Sequence, residues 1–148
     1  LKPNKTDKKQ KSPRGGFFHT SGDLFISAAK RYNGRKTRED AMYKNIEKQT
    51  VLKLKDLVEY QTGQVVSKTL VQNAAVGVTL FAFDKGEEIS THTAGGDALV
   101  TVLDGIGRFT VGGDEFFLNA GESLVMPKGI PHAVFGEERF KMQLTVSF

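Results

Sequence analysis

GEEISTHTAGGDALVTVLDG (residues 86–105) and GESLVMPKGIPH (residues 121–132) decide the fold. Each delivers one histidine, His92 and His132, behind a run punctuated by glycine, and His19 is the third histidine of the chain. Glycine supplies the positive φ of sharp turns and proline fixes a strand exit, so these spacings mark short strands joined by tight turns. A histidine beside each turn can project into a barrel mouth, where small molecules and metals bind. Gly105, Gly121, Gly129 and Pro127 are read as scaffold, serving the turns rather than a ligand.

Outward from these stretches the β pattern continues. Short apolar or alternating runs at 51–54, 64–71, 76–83, 98–103, 107–111, 115–118, 123–126, 132–135 and 140–147 are separated by turn signals, as in an all-β sandwich or barrel. A helical turn is expected at 55–59. Gly112, Gly113 and Asp114 join two runs rich in β-branched and aromatic residues and predict a tight hairpin. In the last run Met142, Leu144, Val146 and Phe148 alternate with polar residues, as expected of a strand buried on one face. Residues 76–83 are apolar on both faces and need cover on two sides, from a second subunit or from the N-terminal segment.

The two histidine stretches resemble the paired motifs of the cupin superfamily, and the likeness covers about the last two thirds of the chain. The second motif, Gly-x5-Pro-x-Gly-x2-His-x3-Asn, is matched from Gly121 through His132, with Gly136 where the family carries Asn. The first keeps Gly86, His92 and Gly105 but has Ala94 at the second histidine position and Ala98 at the glutamate position. The resemblance implies a double-stranded β-helix (jelly-roll) barrel, a homodimer, and a metal centre from which two of the four usual ligands are missing.

Neutral imidazole binds Zn, Fe, Mn or Ni, but useful affinity normally takes three protein donors. Counting in twos from His92, positions 94 and 98 share its face and both carry alanine. A bulge at Gly95 and Gly96 would shift the phase and turn Asp97 toward the histidines, giving a site of two histidines and one carboxylate. Glu88, two pairs of residues before His92, is a weaker candidate on the same parity. Without a metal, the pair would act as polar anchors at a barrel mouth, able to exchange protons with a guest. Three functions follow: a small-molecule-binding barrel anchored by His92 and His132, a metal-dependent oxygenase or isomerase, or a dimerisation module. The residues are compatible with a binding protein or an enzyme and specify no substrate.

Composition narrows the field. The chain has 148 residues and no cysteine, which excludes disulfides, thiolate ligands and cysteine nucleophiles. Residues 1–41 hold 11 Lys and Arg against 4 Asp and Glu, whereas residues 42–148 hold 10 against 13. The basic character therefore belongs to the leading segment, and no nucleic-acid role is expected of the barrel. Residues 1–41 are expected to be an extension placed upstream of the barrel, disordered over 1–16, with a short helix at 21–33 closed by Asn33 and Gly34. The barrel domain is then 42–148. No apolar run is long enough to span a membrane and no signal peptide is recognisable, so the protein is expected in the cytoplasm. Serine-hydrolase and phosphate-loop motifs are absent from the sequence.

Overall fold

A computed structural model describes residues 43–148. The leading segment, with its expected disordered stretch and short helix, lies outside the described residues. Eight strands follow one 3-10 turn at Leu54–Leu57: β1 Val65–Gln72, β2 Val76–Phe83, β3 Glu88–His92, β4 Asp97–Val111, β5 Asp114–Asn119, β6 Ser123–Met126, β7 His132–Phe135 and β8 Phe140–Ser147. All pairings are antiparallel. One sheet runs β1-β2-β8-β4, with β6 on the far side of β4; the other joins β5, β4, β7 and β3. The all-β barrel read from the sequence is the observed fold.

Beta-4 belongs to both sheets. Its first half pairs with β8 and β6, and its second half with β5 and β7. Where the pattern suggested two strands, 98–103 and 107–111, the chain is continuous and bends. A bulge between Val102 and Asp104 slips the phase by one residue, so that Ala98, Val100 and Val102 point inward before it and Gly107, Phe109 and Val111 after it. Gly105 sits at the bend with φ +71°, and a Cβ there would stand 2.3 Å from the Arg139 carbonyl oxygen. Only glycine meets both demands.

Burial runs in a gradient away from this corner. Phe83, Phe109 and Phe140 are fully enclosed, with Phe83 and Phe140 stacked at 4.5 Å between centroids. Along β8 the inward residues pass from buried Phe140 and Met142 to half-buried Leu144 and Val146. Val111 and Ile89 are likewise half-buried on the second sheet. The space between the sheets is therefore shut at the corner and accessible at the opposite end.

The doubly apolar β2 is covered on both faces. Phe81 and Phe83 join the interior cluster, while Leu80 and Ala82 pack outward against Val58, Leu54, Leu57 and Tyr60. At the other end of the strand the cover is incomplete. Tyr43, Ile46, Leu70, Val76 and Val78 line a cleft of about 540 Å³ there. The run at 51–54, expected as a strand, is instead irregular and leads into the 3-10 turn. Its one-sided contact with the outer face of the sheet replaces strand pairing.

Polar contacts fasten this covering segment to the barrel. Tyr60 donates to Asp104 Oδ2 at 2.9 Å, and Lys55 Nζ lies 3.3 Å from Asp104 Oδ1. Buried Lys141 donates to the Lys55 carbonyl at 2.8 Å, with its ammonium 4.7 Å from the Tyr60 ring centroid. Asp84 accepts from the Gly63 N–H at 2.7 Å and from Arg139 Nε at 2.5 Å. The Gly63 bond first, and Arg139 second, hold the Asp84 carboxyl below the usual carboxylate range. Asp104 is lowered mainly by Tyr60 and then by Lys55, while burial first and the Asp104 bond second push the Tyr60 phenol well above its ordinary value. Among the described residues no helix is long and apolar enough to cross a membrane.

Candidate functional site

His92 ends β3 and His132 begins β7, and the two are direct partners in the ladder. Their ring centroids are 4.5 Å apart with the planes at 66°, an edge-to-face arrangement. Val111 of β4 pairs with His132 from the other side. The pair lies at the accessible end of the barrel: His132 is only 2% exposed, whereas His92 is exposed.

Both rings are oriented by the same local device. His92 Nδ1 is 2.9 Å from the Ser90 carbonyl oxygen, and His132 Nδ1 is 2.9 Å from the Ile130 carbonyl oxygen. A carbonyl can only accept, so each Nδ1 carries the proton and donates it. In the neutral ring the lone pair then sits on Nε2, and no hydrogen bond from another described residue occupies either Nε2. Backbone hydrogen bonds to two other segments pin the Pro127 to Pro131 loop that delivers His132. Gly129 N–H donates to the Ala94 carbonyl at 3.2 Å, and the Pro131 carbonyl accepts from Gly112 at 2.9 Å.

Asp97, the carboxylate suggested as a third ligand, is at the start of β4 and accepts from the Lys128 backbone N–H at 2.8 Å. Its carboxylate thus braces the loop before His132. No group of three His, Asp or Glu side chains that could hold a metal occurs among the described residues. The expected bulge at Gly95 and Gly96 does not form in a strand; those residues lie in the bend between β3 and β4. Gly96 serves contact instead, since a Cβ there would come 2.0 Å from the Ser147 carbonyl oxygen.

The bulge occurs earlier. Ile89 pairs with Val134 and His92 with His132, so three steps on β3 answer two on β7. This corrects the parity assigned to Glu88. Ile89, not Glu88, shares the inward face with His92, and Glu88 is exposed opposite Phe135. Beta-3 was itself absent from the runs expected by pattern, because Ile89 is its single apolar residue.

Sequence reasoning also passed over Arg108. It crosses the outer face of the second sheet with its guanidinium carbon 4.5 Å from the Phe135 ring centroid. It donates to Glu115 at 2.9 Å, and its Nε lies 2.9 Å from Glu137 but out of line for a hydrogen bond, an ion pair only. The alternation of charge with Phe135 and Phe117 in register was the available signal.

Comparison with known proteins agrees with this architecture. The cupin-domain family profile matches residues 79–148. A cupin superfamily protein from Desulfitobacterium hafniense is 32% identical with a TM-score of 0.70, the match covering 73% of this chain and 99% of that one. The chain belongs to the cupin superfamily. This cupin is also similar to a conserved protein of unknown function from Streptococcus pyogenes, at 41% identity and a TM-score of 0.71 over 72% of this chain and 94% of that one. It is 50% identical to a cupin 2 conserved barrel domain protein from Leptotrichia buccalis, with a TM-score of 0.64. That match covers 64% of this cupin and 46% of the other chain. No curated protein matches the sequence.

Proposed function

We propose that this cupin binds a small molecule at the open end of its barrel, with His92 and His132 as the polar anchors that orient it. One observation carries this function: the two imidazoles meet at one register position with both Nδ1 atoms committed to backbone carbonyls and both Nε2 atoms left for a guest. Toward the same end of the barrel the half-buried Ile89, Val111, Leu144 and Val146 offer apolar surface to the body of a ligand. A thermal-shift screen of small organic molecules tests the proposal. Ligands that raise the melting temperature of the wild type and lose that effect in both His92→Gln and His132→Gln support it. Ligands indifferent to both substitutions overturn it.

The same tautomer favours a second reading. An imidazole whose Nδ1–H is held by a carbonyl is arranged as metal-ligating histidines are. A divalent Zn, Fe, Mn or Ni ion would find two protein donors here, one short of the three that metal sites normally use, so the residues present do not make a complete site. No chemical step is assigned to a metal.

A homodimer in the cytoplasm is part of the proposal. Leu99 and Val125 are 43% and 52% exposed, and they stand side by side in a row of the first sheet that continues through Thr145 to Val78. A second copy of the chain would cover this outer face.

A further inference from the structure

We infer that the guest of this site is an uncharged, largely apolar molecule with an aromatic hydroxyl donor, a member of the phenol class, and not a carboxylate, a phosphate or a sugar. The inference rests on the histidine pair being the ligand anchors and names what they would hold.

The charge inventory of the interior is the first ground. Three polar or charged side chains are buried among the described residues: Asp84, His132 and Lys141. Asp84 is spent on Gly63 and Arg139, and Lys141 points outward to the Lys55 carbonyl and the Tyr60 ring. The interior cluster, from Phe83 and Phe109 at the corner to Ala98 and Met126, carries no charge, and the polar residues beside it on the inward face, Ser67, Thr69 and Thr79, are neutral hydroxyls. Arg108, Arg139, Lys55 and Lys85 are engaged by carboxylates. An anion entering between the sheets would lose its water and meet no fixed cation, only imidazoles that would first have to take up a proton, which is unfavourable.

The tautomers are the second ground. With both Nδ1 protons donated to carbonyls, the neutral pair presents two acceptors and no donor. The complementary group is a hydroxyl. A sugar brings several hydroxyls, and besides the two Nε2 atoms the inward faces offer only the hydroxyls of half-buried Thr69 and Thr79, too few to pair them all. A phenol brings one, on a flat apolar ring whose burial would suit the half-buried Ile89, Val111, Leu144 and Val146. Lys128, exposed on the loop before β7, is the competitor that would favour an anion instead.

The test reads the imidazoles directly. The full chain, labelled with 15N, is followed by long-range proton–nitrogen correlation of its histidine side chains at about pH 8, where ordinary imidazole is neutral. Phenol, benzoate, glucose and inorganic phosphate are titrated separately. Phenol is expected to move both the His92 and His132 Nε2 resonances saturably, at least tenfold more tightly than the other three, with tightness reduced at least fivefold by His92→Gln. Tighter binding of benzoate or phosphate at the same resonances, weakened by Lys128→Gln, would overturn the ligand class while leaving the histidine anchors in place. Tighter binding of glucose would do the same. If none of the four moves either Nε2, the class and the anchor function both fall.

Discussion

Gly107 of β4 leaves the space that the Phe140 ring of β8 occupies: a Cβ built on Gly107 would stand 2.6 Å from that ring and 2.8 Å from the ring of Phe109. The absence of one side chain thus lets the two sheets close at the corner. Gly107→Ala is expected to destabilise by about 1–3 kcal/mol, the range for overpacking a filled core. The double variant Gly107→Ala/Phe140→Leu should recover part of that loss, because the sites are in contact. Urea denaturation of Gly107→Ala, Phe140→Leu and the double variant measures it, and strict additivity would refute the packing account.

The two histidines should differ in structural weight. His132 is buried and satisfies the Ile130 carbonyl, so His132→Ala is expected to cost about 2–4 kcal/mol through lost packing and an orphaned acceptor. His92 is exposed, and His92→Ala should stay within about 0.5 kcal/mol of wild type. Equal losses in chemical denaturation would contradict the observed burial.

Acid should loosen the segment that covers β2. Asp84 and Asp104 both have folded-state pKa values below their ordinary ones, so the folded chain holds fewer of their protons than the unfolded chain does. Stability from these groups is fully present above the ordinary carboxylate value of about 3.9 and is lost as pH falls through the depressed values. The melting temperature should therefore drop on acidification in that window. Asp84→Asn should lower it at neutral pH and flatten the acid dependence; an unchanged slope would remove Asp84 from the account.

Metal content offers an independent check. With two protein donors at the His92–His132 pair, protein purified without added metal is expected to hold well below one equivalent of Zn, Fe, Mn or Ni by elemental analysis. Chelator should leave its melting temperature unchanged. A full equivalent, lost in both His92→Ala and His132→Ala, would move the assignment to the metal-dependent reading.

The exposed row on the first sheet makes a prediction about assembly. Sedimentation should give a dimer for the wild type and a monomer for Leu99→Glu/Val125→Glu, with the circular dichroism spectrum preserved. A wild-type monomer, or a dimer indifferent to the double substitution, would assign this face no role in pairing.

Much of the barrel was legible because its strands obey simple rules. The run 76–83, the run 123–126, the run 132–135 and the run 140–147 are strands with the bounds expected, and Gly112 and Gly113 both carry the positive φ of a tight hairpin. Beta-3 was not legible, since its pairing partner is distant in sequence and one apolar residue in five gives no pattern. The face of Glu88 was misassigned for a related reason: a bulge at Ser90 and Thr91 alters parity without any glycine to announce it. The meeting of His92 and His132 is a property of the β3–β7 ladder, which spacing suggests but only pairing creates. The clamp of Asp84, Asp104 and Tyr60 depends on side chains from separated segments, and nothing local in any of them predicts it.

One long strand threads both layers of this molecule, bending at Gly105 to pair with four neighbours in turn. Neither layer can peel away as a stable half, because each would take a piece of the same spine with it. Melting should consequently be all-or-none, with amides near Val100 and Phe109 exchanging hydrogen at one common rate set by global opening.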